Sequence, residues 1–117
     1  MIGVPRVPAP AGRNDGVYYT IERLAPAGGV GTLRLSGSLD IGARDDVCEA
    51  ITAAAGAPGV ASLLVDLGGV SFLDSEALAG LIEGFQKARQ TTPVRMVNAQ
   101  GIVRRVLAVT GTLELFG

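Results

Sequence analysis

Histidine is missing from this 117-residue chain, and cysteine appears once, as Cys48. Without histidine there is no Ser-His or Cys-His dyad, no ordinary general base near neutral pH, and none of the commonest zinc ligand. A lone cysteine cannot close an intramolecular disulfide, which fits a reducing compartment. With one cysteine and no histidine, a transition-metal site is close to excluded, and no motif supports a carboxylate-bound magnesium. Cys48 falls in a helix-like segment and reads as a packing residue, not a nucleophile. Excess charge is also lacking. Ten basic and eleven acidic residues leave a formal net charge of -1, so no field exists to hold a phosphate backbone. No apolar run approaches the ~18 to 20 residues that span a bilayer. Pro5, Pro8, Pro10 and Gly12 interrupt the N-terminal region, so no secretory signal is expected.

What is present is a small, well-buried domain. The hydrophobic fraction is 48% and the mean hydropathy +0.39, outside the range of disordered chains. The length supports one core and not two. Residues 1–16, rich in Pro, Gly and Ala and without periodicity, read as a flexible tail, and residues 17–117 as the domain. Residues 17–23 are β-branched and aromatic, a first strand expected at an edge. Ala25-Pro26-Ala27-Gly28-Gly29 reads as a turn, and residues 30–37 as a second strand closing a hairpin. The glycines here do not form a phosphate loop, since no Lys-Ser/Thr follows and a strand comes next where such a loop needs a helix.

Residues 44–55 place Val47, Ala50, Ile51 and Ala54 on one helical face, and Gly56 to Gly59 stop that helix. Residues 94–97 read as a further strand. Residues 101–110 form a short helix with Val103, Val106 and Leu107 inward and Arg104 and Arg105 outward. Gly111 is its expected C-cap, and Leu113 to Phe116 an edge strand or a docked end. The order β-β-α-β-α-β-α implies a mixed sheet, hairpin first and then parallel strands joined by helical crossovers, in a single α/β layer protein.

The centre of the chain carries the chemistry. Leu63 to Leu67 is an apolar run suited to a strand covered on both faces, and Gly68-Gly69 breaks it. After Val70-Ser71-Phe72-Leu73 comes a polar step, Asp74-Ser75-Glu76. The period then changes, with Leu78, Leu81, Ile82 and Phe85 on one helical stripe over residues 75–90. Asp74 or Ser75 suits the N-cap. From these residues alone, Ser75 is either part of a plain cap or a modifiable, partner-contacting hydroxyl at a helix N-terminus between two carboxylates.

Four ordered segments resemble the STAS domain family, the fold of bacterial anti-sigma factor antagonists. Leu35-Ser36-Gly37-Ser38-Leu39-Asp40 resembles the family's hydrophobic-x-Gly-x-Leu-Asp segment. Leu64 to Ser75 resembles its core strand running into an Asp-Ser phosphorylation site. Val94-Arg95-Met96-Val97-Asn98 resembles the next strand, and Val103 to Gly111 the late helix ending in Thr-Gly. The match runs from about Val17 to Phe116. The resemblance implies a STAS-like mixed sheet with helices mainly on one side. It also implies a phosphorylatable Ser75, Asp40 in a loop facing it, and Asp74 before it.

Its further implication is a cytoplasmic, non-enzymatic regulator in bacteria. Unphosphorylated, it binds an anti-sigma factor with serine kinase activity and frees a sigma factor; phosphorylated, it lets go. Asp40, Asp74, Ser75 and Glu76 would form the switch surface. No cofactor, metal, direct nucleic-acid binding or membrane insertion is expected, and a weak homodimer is compatible with this reading. Two departures stand out. Glu76-Ala77 replace the Ser or Thr and then Gly common after the serine, so Glu76 either weakens kinase recognition or partly mimics the modified state. The chain also stops at Gly117, where many members continue.

Two other classes compete. A STAS-like scaffold or accessory subunit of a membrane transport complex would use Ser75 only as a cap, with Arg104 and Arg105 at a docking face. An enzyme with Ser75 as nucleophile lacks a histidine, positioned lysine or metal to activate the hydroxyl.

Overall fold

The computed structural model describes residues 6–7, 19–40 and 42–109. Five strands lie side by side in chain order: β1 (Arg6–Val7), β2 (Tyr19–Ala27), β3 (Val30–Leu39), β4 (Ser62–Leu73) and β5 (Val94–Val97). The helices are α1 (Ala43–Ala55), α2 (Ser75–Ala88) and α3 (Gly101–Val109). β1, β2 and β3 pair antiparallel, and β3, β4 and β5 pair parallel across α1 and α2. This is the mixed sheet expected from helical crossovers.

Three local expectations change. β1 pairs with Ile21 and Glu22, so β2 is not an edge along those residues and Arg6–Val7 belongs to the sheet. The rest of the supposed tail lies outside the described residues, as do Val17, Tyr18, the Gly111 cap and the Leu113 to Phe116 end. β2 also runs through Ala25-Pro26-Ala27, with an irregular register between Leu24 and Ala27. Proline has no N–H to donate and is tolerated where the ladder is already broken. The turn is only Gly28-Gly29, both at positive φ (60° and 84°), as a tight two-residue hairpin requires.

The third change concerns β4. Gly68-Gly69 does not end it; the strand runs twelve residues. Its register against β3 slips between Arg34 and Ser36 and again between Gly37 and Ser38. Each slip inserts one extra residue in β4, a bulge. The buried positions accordingly step by two through Leu63, Val65 and Leu67, then by three to Val70 and Leu73. The bulges return the strand to its core face twice, which simple alternation cannot do. Gly69 sits where the strands approach closely: a Cβ there would lie 2.6 Å from Ser36 Oγ.

One hydrophobic core joins β2, β3 and β4 to all three helices, with Leu33, Leu35, Leu39, Val47, Ile51, Val65, Leu81 and Leu107 almost fully buried. α1 and α2 lie together on one sheet face. Gly80 and Gly84 let them touch: a Cβ on Gly80 would stand 2.5 Å from the Arg44 carbonyl oxygen. By strand alternation the other face is polar. There Arg34 lies between Glu22 (3.7 Å) and Asp66 (3.6 Å). Asp66 Oδ1 also accepts from Gly68 N–H (2.8 Å) and Asn98 Nδ2 (3.1 Å).

Candidate switch site at the end of the central strands

β3 and β4 end in register at Leu39 and Leu73. The Asp74 N–H donates to the Leu39 carbonyl at 3.0 Å, so the chain segments carrying Asp40 and Asp74-Ser75 leave the sheet side by side. The Asp40 carbonyl accepts from Ala43 N–H (2.9 Å), starting α1, and Ser38 Oγ donates to Asp40 Oδ2 (3.3 Å). Tyr19, fully buried, steadies this end of α1 by donating its hydroxyl to Asp46 Oδ2 at 2.6 Å.

Asp74 is the N-cap of α2. Its backbone is extended (φ -94°, ψ 178°), and Oδ1 accepts from Ala77 N–H at 2.8 Å while its carbonyl accepts from Leu78 N–H. This is the geometry that satisfies free amides at a helix start. Ser75 is the first helical residue and is exposed, as is Glu76. The cap is made by Asp74, so the Ser75 hydroxyl is left at the surface above free helix N–H groups.

Glu76 is not isolated. Arg44, in the first turn of α1, donates to Glu76 Oε1 at 3.1 Å and lies 3.6 Å from Glu83, which in turn pairs with Lys87 at 3.2 Å. The hydrogen bond it donates to Glu76 raises the Arg44 guanidinium pKa above its ordinary value. The hydrogen bond from Lys87 holds the Glu83 carboxyl below its usual range, and Glu83 raises the Lys87 ammonium. Sequence reading missed Arg44 because its partner lies 32 residues away. The only hint was two acids seven apart, Glu76 and Glu83, on one helix face. Phe72, read simply as strand, is 44% exposed three residues before Ser75.

Cys48 is buried, and burial pushes its thiol pKa up, in keeping with packing and not nucleophilic use. Among the described residues no group of three or more His, Cys, Asp or Glu side chains could hold a metal. No described helix is long and apolar enough to cross a membrane.

Residues 24–117 match the STAS domain family. The chain belongs to that family. STAS relatives of known structure include an anti-sigma factor antagonist from Mycobacterium paratuberculosis, 28% identical with a TM-score of 0.70 over 84% of this chain and 82% of that one. The anti-sigma factor antagonist SpoIIAA in its unphosphorylated form is 22% identical, TM-score 0.63, over 80% and 83%. The murine Slc26a9 anion transporter shares the fold at 19% identity and TM-score 0.65, over 78% of this chain and 15% of that one. A search of curated proteins gives no match.

Proposed function

We propose that this STAS domain is a bacterial, cytoplasmic anti-sigma factor antagonist. Unphosphorylated, it binds an anti-sigma factor with serine kinase activity and frees a sigma factor; phosphorylation of Ser75 switches it off. The observation that carries this reading is the division of labour at the start of α2. Asp74 makes the cap, while Ser75 stands exposed beside it, next to the Asp40 segment. A serine needed only for capping would be the residue accepting from Ala77. The likeness to an antagonist at 28% identity supports the same class.

A phosphate would add roughly 1.5 to 2 negative charges to Ser75. The α2 N-terminus would favour it by about 0.3 to 1 kcal/mol, so the fold would tolerate it. A partner closing over Asp40, Phe72 and Ser75 would have to desolvate that charge, at a cost of about 2 to 5 kcal/mol in affinity. The switch therefore acts on binding, not folding. Glu76 hinders it less than its sequence position implies, because Arg44 already offsets its charge. The domain is read as non-enzymatic: Asp74 is engaged in the cap and Glu76 with Arg44, so neither neighbouring carboxylate is free to activate the hydroxyl. The transport-scaffold reading gains only a shared fold from the transporter likeness.

The test is capture from the source cell's lysate with wild-type and Ser75→Asp baits, with phosphate mapped on recovered wild type. Expected is a small ATP-binding kinase held by wild type, bound roughly 30-fold or more weakly by Ser75→Asp, and phosphate on Ser75. Equal binding by both baits would sink the switch. Recovery of transporter subunits by both, with Ser75 unmodified, would favour the scaffold.

A further inference from the structure

At the end of the sheet opposite Ser75 the fold leaves a cavity of about 260 Å³. It is bounded by the β2–β3 hairpin, the C-terminal turn of α1 and the loop into β4, with Leu24, Pro26, Ala54, Val60 and Leu63 among its walls. Gly31 and Leu63 pair near the cavity, and Leu39 and Leu73 pair near Ser75. Eight residues of strand separate them, roughly 25 Å, so this is a separate place and not an extension of the switch surface.

The walls are almost wholly apolar, and Arg23 is the single charged residue lining the cavity. Its stem lies on the core side of β2, and its guanidinium donates one long hydrogen bond, 3.4 Å, to the Ala53 carbonyl. Arg23 is half-buried and has no ion pair among the described residues. A guanidinium has five N–H donors arranged to hold a carboxylate at two points, and most of these are unspent. At about 260 Å³ the cavity exceeds the ~150 Å³ apolar cavity that holds benzene, so its size and its apolar walls suit a small apolar guest. A pocket with apolar walls and one oriented charge is the usual form of a small-ligand site.

We infer that this cavity binds a small free amphiphile, an alkyl carboxylate whose chain fills the space between Leu24, Val60 and Leu63 and whose carboxylate pairs with Arg23. The site needs only charge complementarity and exclusion of water from the chain, and it does not depend on Ser75 or on any anti-sigma partner. The competing role for Arg23 is purely structural: a cation at the C-terminus of α1, which has no basic residue in its own last turn.

Titration calorimetry with octanoate and with octanol, on the full chain, separates the two. Octanoate should bind saturably to wild type, with amide shifts at Leu24, Val60 and Leu63 in heteronuclear NMR. Arg23→Gln should weaken octanoate at least tenfold, the value of a charged hydrogen bond, and leave octanol unchanged. Ala57→Leu, filling the cavity from its half-buried rim, should remove both while preserving the circular dichroism spectrum. The inference is overturned by any of four results: no saturable octanoate binding, equal loss of octanol in Arg23→Gln, full octanoate binding by Ala57→Leu, or binding to anionic vesicles without a response to octanoate.

Discussion

Asp74 and Ser75 are adjacent, both polar, and either could have capped α2; the backbone decides between them. Asp74 is extended and its carboxylate reaches Ala77 N–H, whereas Ser75 is already helical and its side chain points to solvent. Replacing Asp74 with Ala should therefore cost about 0.5 to 2 kcal/mol, read as a lower urea midpoint with an unchanged slope. Ser75→Ala should stay within about 0.5 kcal/mol of wild type. Equal losses in the two variants would mean that Ser75 shares the cap. The spacing from polar step to apolar stripe made Asp74 a candidate cap in the sequence. Arg44 left no such trace, because an ion pair between two helices depends on how they cross.

The crossing of α1 and α2 is set by small residues. Gly80 lies against the Arg44 backbone and Gly84 against Cys48 and Ile51, so the helices pack at backbone contact and bring Arg44 over Glu76 and Glu83. Alanine is the better helix former by about 1 kcal/mol, yet a Cβ at position 80 would meet backbone, which cannot rotate away. Gly80→Ala should lose about 1 to 3 kcal/mol through overpacking, seen as a melting temperature lowered by several degrees. A raised melting temperature would mean the helices separate freely and propensity wins. The helical stripes of α1 and α2 were readable from periodicity. The length of β4 was not: its bulges arise from pairing with β3, and a glycine pair in an isolated strand looks like an end.

For the whole molecule, the net charge of -1 at pH 7 turns strongly positive in acid as the carboxylates protonate, and particular ion pairs are lost over the same range. The Glu83 carboxyl is held below its ordinary value of 4.5, chiefly by Lys87. Its contribution is thus fully present above pH 4.5 and is lost as the pH falls through the lowered native value. Lys87 is raised above 10.5 by Glu83, so its share is present below 10.5 and fades as the pH rises through the raised value. Both groups are exposed, and salt should screen them. Denaturant titrations across the acid range should give Glu83→Gln a shallower decline than wild type at low salt, and the difference should vanish at high salt. A difference that survived high salt would place the effect in packing.

Composition and periodicity were enough to identify an α/β domain with one core, a leading hairpin, parallel strands behind it and an Asp-Ser step between the central strand and its helix. Those features are local: they follow from which residues alternate, which repeat at helical spacing and which residue types are missing. The hydrogen bond from Asp74 N–H to the Leu39 carbonyl, the pairing of Glu76 with Arg44, the exposure of Phe72 and the cavity beside Arg23 came from the assembled chain. Each depends on segments tens of residues apart meeting at a particular register and distance, and a register exists only once the strands and helices have packed.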